Sequence, residues 1–396
     1  MSKVIVHIDL NAFFVRCEEI KDPSLEGKPV AVGHEGRGGI VSTCSYKARE
    51  FGVHSGMPMF KAKQLCPHLI IKPVDFRFYY TLSHEFIDFI KNYTKEIEIA
   101  SIDECYADFT DVVKGIMDVP AFFKDLQNKL FVKTKLKCSI GVASTKFLAK
   151  MGSDYRKPMG LTIIRKSDIP KILYPLSIDN MYGIGKKTAP RLNEIGIKTI
   201  GDFAREANSN NLELQKILGK FYFVLKDWVN GKGSDEIIKE VEDPKSIGNS
   251  LTLKHDTNNK EDILPTFEFL CREVSSRAIK ERKLGSTIQI VVKDQDFKSY
   301  NKSLTLSNPT NKFDILYQNA VLLYEQNFLG KVIRLVGVTL QNLINVEDAT
   351  IQMSLFDYQK HEEESATKLL INDLNRRLSK PSLMRASEVK KNDGNK

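Results

Sequence analysis

Val4-Ile5-Val6-His7-Ile8-Asp9, near the N-terminus, and Ser101-Ile102-Asp103-Glu104-Cys105-Tyr106-Ala107-Asp108, much further along, decide how this chain is read. An apolar run such as 4–8 has the pattern of a strand buried on both faces, so Asp9 at its C-terminal end emerges at the edge of a core. Asp103 and Glu104 fall where Glu96-Ile97-Glu98-Ile99, alternating with period two, turns back into Tyr106-Ala107-Asp108-Phe109. Three carboxylates meeting in a dry place repel one another, and divalent cations are the usual way to make that tolerable. The two segments together form a candidate two-metal site, although an adjacent acidic pair without this context is usually a solvated turn.

Working outward, Ala12 to Ile20 reads as a helix. A second helix starts at Pro120, a favourable first-turn position, with Phe122, Phe123, Leu126 and Leu130 at helical spacing. Cys138 to Ala143 reads as a buried strand, and Ser144 or Thr145 can cap the helix after it. This order is βαββαβ, the split arrangement of ferredoxin-like folds. Residues from about 21 to 75, rich in Gly and Pro, look like an insertion into it.

Residues 166–240 read as helical. Met181-Tyr182-Gly183-Ile184-Gly185-Lys186-Lys187-Thr188 and the Gly-broken turn Ile195 to Ile200 resemble a helix-hairpin-helix module. In such a module the backbone N–H groups around Gly183 and Gly185 bind a DNA phosphate, and Lys186, Lys187 and Arg191 add charge. An ordinary glycine cap between packed helices is the bland alternative, and it would be preferred if Gly-Ile-Gly stood alone. From 245 to 342 the βαββαβ order returns: strands at Ile247–Leu253, Ile288–Lys293, Leu304–Leu306 and Val332–Leu340, with helices at Asp262–Lys283 and Asn311–Phe328. Ser303, Thr305 and Ser307 alternate there, giving a polar sheet face that is either simply solvated or laid along a phosphate backbone. Residues 343–396 are polar, with one apolar pair at Leu355-Phe356 and a helix expected around Lys368 to Leu378. The fold class expected is α+β, in several domains.

Composition sets limits. The 396 residues suit about three domains, and 42% hydrophobic residues supply ample core. A net charge of +9, with pI near 9.0, favours a polyanionic partner or an anionic surface. The six cysteines show no CxxC pair or zinc-ligand spacing, which fits a reducing cytoplasm. There is no apolar run of about 18 residues and no signal-peptide core ahead of Asp9, so no membrane is expected.

Six motifs then carry a resemblance. Ile8-Asp9-Leu10-Asn11-Ala12-Phe13-Phe14, the stretch 42–53 (STCSYKAREFGV), 101–109 (SIDECYADF), 144–160 (STKFLAKMGSDYRKPMG), 183–188 (GIGKKT) and 245–253 (KSIGNSLTL) resemble, in order, those of Y-family translesion DNA polymerases. The similarity runs from residue 4 to about 356 and is strongest to the bacterial polymerase IV branch. It implies a ferredoxin-like palm (1–10 and 75–165), small fingers (11–74), a helical thumb (166–240), a C-terminal little finger (245–342) and a polar tail (343–396). The implied activity is addition of dNTPs to a primer 3′-OH on primer-template DNA, with low fidelity, lesion bypass and no proofreading. Two Mg²⁺ ions about 4 Å apart would stabilise the attacking and leaving oxygens. By the same resemblance Asp9 and Asp103 bridge the metals, Glu104 holds the metal on the primer side, and the Leu10 carbonyl completes the nucleotide-side metal. Thr43, Tyr46, Arg49 and Lys157 would meet the triphosphate, Arg49 as a bidentate fork and Lys157 as a point charge. Without the motif, Tyr46 and Arg49 at i, i+3 would read merely as a stacked pair. Phe14 would lie under the sugar and exclude a ribose 2′-OH. Many relatives have a second acidic residue where this chain has Asn11, a departure that leaves the implied activity intact. Gln352-Met353-Ser354-Leu355-Phe356 resembles the peptide by which such polymerases attach to the bacterial sliding clamp, with Gln352, Leu355 and Phe356 as anchors. A monomer is expected. A nucleotidyl cyclase on a related palm would need neither the hairpin module nor the second βαββαβ domain, and a catalytically silent DNA-binding scaffold would be expected to have lost Asp9, Asp103 or Glu104.

Overall fold

A computed structural model describes residues 3–240 and 243–349 of the chain. The clamp-type motif 352–356 and the helix expected around 368–378 lie outside the described residues. The chain forms two compact units, the second beginning at Asp243.

The first unit is built on β1 (Ile5–Leu10), whose six residues are all buried. Its neighbours explain why: β1 is the centre of a five-stranded sheet and pairs antiparallel on both sides. In chain order, α1 (Phe13–Lys21) follows β1. Next comes the inserted segment β2 (Val30–Gly33), β3 (Val41–Cys44), α2 (Tyr46–Arg49), α3 (Met59–Leu65) and β4 (Ile70–Lys72). The main sheet then resumes with α4 (Phe76–Lys91), β5 (Ile97–Ile99), β6 (Glu104–Asp108), α5 (Val119–Thr134), β7 (Cys138–Ala143), α6 (Lys146–Tyr155) and β8 (Leu161–Ile164). The sheet order β5-β6-β1-β7-β8 is that of a ferredoxin-like βαββαβ sheet with one strand added. That added strand, β8, pairs parallel to β7 and has no counterpart among the expected strands, because Leu161-Thr162-Ile163-Ile164 after the Pro158-Met159-Gly160 turn is too short to give a periodicity. Thr145, one of the two expected caps, accepts from the Leu148 N–H at the start of α6. The Gly- and Pro-rich insertion is a three-stranded sheet, β3-β2-β4, with a small core of its own around Val41, Met59 and Cys66.

Strand alternation assigns the two faces of the main sheet different tasks. Val6, Ile8 and Leu10 of β1, with Cys105, Ala107, Ile140 and Val142, pack on Phe86 and Ile90 of α4 and on Phe123, Leu126 and Leu130 of α5. Ile5, His7 and Asp9 point the other way, in register with Glu104 and Tyr106 on one side and Ser139, Gly141 and Ala143 on the other. Helix α6 covers this second face. It lies unusually close, because a Cβ built on Gly141 would stand 1.9 Å from the Ala149 carbonyl oxygen and 2.4 Å from the Ser153 nitrogen. Only glycine permits that approach.

The remainder of the first unit is helical: α7 (Ile169–Ile172), α8 (Thr188–Glu194), α9 (Ile200–Asn208), α10 (Leu212–Leu218) and α11 (Phe221–Val229). Gly183 and Gly196 both have positive φ, at the two turns singled out from sequence. Thr199 and Asp202 form a capping box at the start of α9. Trp228 of α11 stacks between Phe147 of α6 and Tyr182 of the glycine turn, tying the helices to the sheet.

The second unit comprises β9 (Ser246–Thr257), α12 (Lys260–Lys280), β10 (Lys283–Asp294), β11 (Ser299–Thr310), α13 (Phe313–Phe328) and β12 (Ile333–Asn345). The βαββαβ element order is the one expected, but the strands are longer and their sheet order is β11-β10-β12-β9. In the first unit the first and third strands of the motif are central, whereas here the second and fourth are. Leu304 and Leu306 of β11 pack on the core, while Ser303, Thr305 and Ser307 are exposed, as the alternation implied.

Candidate active site

Pairing in the sheet sets Asp9 directly beside Glu104, and the Leu10 N–H donates to the Asp103 carbonyl at 2.9 Å, which fixes the turn. A cavity of about 260 Å³ opens there. Asp9, Leu10, Asp103 and Glu104 line it, together with Thr43, Tyr46, Arg49, Lys157 and Phe14. All nine residues expected at the metal and nucleotide positions thus share one cavity, together with Ser42 and Ser55, which sequence reading did not single out.

The Arg49 guanidinium lies 4.5 Å over the Tyr46 ring. The stacked pair and the cavity lining are therefore the same two residues. The Tyr46 hydroxyl is buried and meets no partner among the described residues, a costly state for a polar atom unless something else satisfies it. Phe14 stacks on Tyr79 at 4.7 Å, and the Tyr79 hydroxyl donates to Glu18 at 2.8 Å, so the aromatic wall is braced from behind.

Electrostatics centre on Asp9. Burial, then its hydrogen bond with Glu104, push its carboxyl up to about 7 against the pull of Lys157 and Lys150. Burial also raises Asp103, whose carboxylate accepts from Ser101 Oγ at 2.6 Å. Glu104 goes the other way: burial would raise it, but hydrogen bonds with His7, Asp9 and Lys150 hold it below the usual carboxylate range. Burial alone would lower Lys150, and its carboxylate neighbours Asp9, Asp154 and Glu104 raise it instead. As placed, no three His, Cys, Asp or Glu side chains among the described residues stand as a metal cage. Lys150 and Lys157 ammonium groups lie against the carboxylates, at 3.1 and 2.7 Å from Asp9.

Two residues in this network have no role in the sequence-based expectations, and a third, Asn11, appears there only as a departure from relatives. Lys150 is buried on α6 among Phe147, Leu148 and Met151. A lysine inside a buried helical stretch was the available signal, since a buried ammonium demands partners. His7 is fully buried on the α6 face; its Nδ1 meets Ser153 Oγ at 2.7 Å and its Nε2 lies 3.4 Å from Glu104. Ser153 Oγ also meets the Lys150 carbonyl at 2.9 Å, so the His7 ring is held between α6 and the Glu104 carboxylate. Asn11 donates to Ser139 Oγ and accepts from the Met159 N–H at 2.7 Å, so it holds the turn that carries Lys157.

Comparisons with known proteins place the chain in a family. Residues 8–154 match the model of the impB/mucB/samB family, 244–355 match its C-terminal domain, and 166–197 match the IMS family HHH motif. DNA polymerase IV of Bacillus velezensis is 36% identical over 395 residues, spanning 99% of this chain and 94% of that protein. DNA polymerase IV 1 of Bacillus subtilis is likewise 36% identical, with the same coverage of both chains. Among solved structures, a Y-family DNA polymerase chimera of Dbh and Dpo4 superposes with a TM-score of 0.76 at 31% identity, covering 86% of this chain and 99% of that one. The chain belongs to the Y-family of DNA polymerases.

As a Y-family member it is a DNA-directed DNA polymerase, a nucleotidyltransferase with a translesion role. An insertion ternary complex of Dbh DNA polymerase is a further Y-family neighbour, with a TM-score of 0.59, 30% identity, and coverage of 86% of this chain and 99% of that one. The fold class expected from sequence is the one found. No helix among the described residues is long and apolar enough to cross a membrane.

Proposed function

We propose that this polymerase extends primer-template DNA by a two-metal mechanism, with low fidelity and without proofreading. The reading rests on one observation: a single cavity is lined by carboxylates together with cationic and hydroxyl groups. The donor chemistry fits Mg²⁺, since Asp9, Asp103, Glu104 and the Leu10 carbonyl offer hard oxygens only. Two Mg²⁺ ions bound there would supply charge stabilisation for the attacking 3′-oxygen and the leaving pyrophosphate. The other side chains position and exclude. Arg49 presents a planar fork, Lys157 a point charge, and Thr43 and the partnerless Tyr46 hydroxyl offer donors to phosphate oxygens. Phe14, braced by Tyr79, excludes a 2′-OH.

DNA contacts fall on two surfaces. Around Gly183 and Gly185, the N–H groups of Gly185, Lys186 and Lys187 meet no acceptor among the described residues, which suits a phosphate. In the second unit, the exposed Ser303, Thr305 and Ser307 offer hydroxyls to the backbone. Gln352, Leu355 and Phe356 would attach the enzyme to the sliding clamp, because adjacent apolar residues in a polar tail suit a pocket on another protein. A monomer in a reducing cytoplasm fits six buried free thiols.

Primer extension with Mg²⁺ on undamaged and lesion-bearing templates tests the proposal. Asp103→Asn and Glu104→Gln should each lower extension by several orders of magnitude with DNA affinity little changed, because what is lost is transition-state charge stabilisation. Comparable extension by either variant would refute the assigned site.

A further inference from the structure

Asp9, Lys150, Asp154 and Lys157 close a ring of alternating charge. Lys157 Nζ lies 2.7 Å from Asp9 Oδ2 and 2.7 Å from Asp154 Oδ1. Lys150 Nζ lies 3.1 Å from the same Asp9 oxygen, 3.4 Å from Asp154 Oδ2, and 2.8 Å from Glu104 Oε1. The two carboxylates that share these lysines differ in setting. The Asp9 side chain is 7% exposed inside the cavity, while that of Asp154 is 41% exposed and stands outside it. Each ammonium is therefore divided between an inner, cavity-lining carboxylate and an outer, hydrated one.

Resting on the reading of Asp9 and Glu104 as metal ligands, we propose that Lys150 is a resident counter-ion of those two carboxylates and that Asp154 draws it away. Both act as positioning residues that set how readily the inner pair accepts a divalent cation. The physical basis is competition for the same lone pairs. An ammonium at 2.8–3.1 Å from Glu104 and Asp9 satisfies oxygens that a cation would use, and it repels that cation as well. Asp154 opposes this by holding both lysines partly outward. The arrangement makes the metal-free pair tolerable, since two buried carboxylates side by side repel one another unless a cation lies against them. It also leaves the pair undercommitted to metal until something further displaces the ammonium groups. A triphosphate beside Lys157 is one such agent, because it offers that lysine another anion.

The two substitutions must act with opposite signs, which no merely structural role predicts. The experiment is Mn²⁺ binding to the full chain without DNA or nucleotide, followed by the electron paramagnetic resonance of free Mn²⁺, in the parent, Lys150→Met, Asp154→Asn and Asp103→Asn. Lys150→Met should bind Mn²⁺ at least about tenfold more tightly, since one unit charge is removed at contact distance in a partly dry site. Asp154→Asn, which leaves both lysines to the inner pair, should bind more weakly by roughly threefold or more, a smaller change because Asp154 is half in water. Thermal melting provides a second reading: Mn²⁺ should raise the midpoint of Lys150→Met by more than that of the parent. Affinity unchanged or lowered in Lys150→Met, or unchanged or raised in Asp154→Asn, overturns the proposal. Asp154 is exposed enough that its variant folds, so its sign decides even if Lys150→Met is poorly behaved. Asp103 lines the cavity but lies outside the ring, so Asp103→Asn separates the two layers of the argument. If it leaves Mn²⁺ binding unchanged, the metal-site reading falls and this inference with it. If it weakens binding while the ring variants do nothing, only the ring proposal falls.

Discussion

Gly141→Ala adds one methyl group on the β7 face that α6 covers, and the structure shows how little room there is. The new Cβ would stand 1.9 Å from Ala149 O, 2.4 Å from Ser153 N and 2.8 Å from Gly152 C, all backbone atoms that no side-chain rotation can move. The first contact falls 1.1 Å short (3.0 − 1.9) of the shortest separation real Cβ atoms keep, so α6 must retreat by about that much. Overpacking of this kind costs roughly 1–3 kcal/mol or more, and the better strand propensity of Ala offsets only about 0.5–1 of it. For a unit of this size, at about 2–4 °C per kcal/mol, the melting midpoint should fall by a few degrees and by up to roughly 10 °C. The retreat also lifts Lys150 and Ser153 from their contacts with Asp9 and His7, now 3.1 and 2.7 Å. A displacement of about 1 Å near the reacting groups can cost roughly 10²-fold in rate, so single-nucleotide extension should fall by that order even below the new midpoint. Calorimetry and extension at a temperature where both proteins are folded separate the two effects. Parent-like melting together with parent-like extension would refute the claim that the close helix-strand approach sets the site.

Further outcomes are expected at the other surfaces. Phe14→Ala should raise ribonucleotide insertion by about 10²-fold, with a smaller effect on dNTP use in the same single-nucleotide assay; unchanged discrimination would mean that another residue is the gate. Replacing Lys186 and Lys187 together by Ala should reduce the slope of log K against log salt for primer-template binding by up to about two, and an unaffected slope would return the glycine hairpin to a plain helix cap. Leu355→Ala with Phe356→Ala should leave short-assay extension intact and abolish clamp-stimulated product length; equal stimulation of the variant would place the attachment elsewhere.

What was legible in the sequence divides along a physical line. Asp9, Asp103 and Glu104 could be placed because each adjoins a strand whose pattern is local, and sheet pairing then brings them together. The residues expected at the sugar and the triphosphate came from motif resemblance, and one cavity gathers all of them. His7 and Lys150 were not legible, since their partners lie 97 and 141 positions away and depend on how closely α6 approaches β7 (104 − 7 and 150 − 9). The insertion showed only its Gly and Pro content, while its three strands are short and partly irregular. For the second unit the element order was readable but the sheet order was not. Whether a crossover lands beside the first strand or beyond it is decided by packing of α12 and α13, which leaves no local signature.

The open face of the second-unit sheet has a composition with its own consequence. In register across its strands run Thr305, Thr287 and Gln341, then Ser303, Gln289 and Thr339, with Lys293 further along β10. Hydroxyls rotate freely and can donate or accept, and a glutamine amide can do both at once. A surface made of such groups does not demand one spacing of phosphates, as a set of arginine forks would. A duplex seated there could shift or widen around an enlarged base while each displaced oxygen found a neighbouring donor. Tolerance of distorted backbones would then reside in the chemistry of a whole sheet face, independent of any single contact and resistant to the loss of any one side chain.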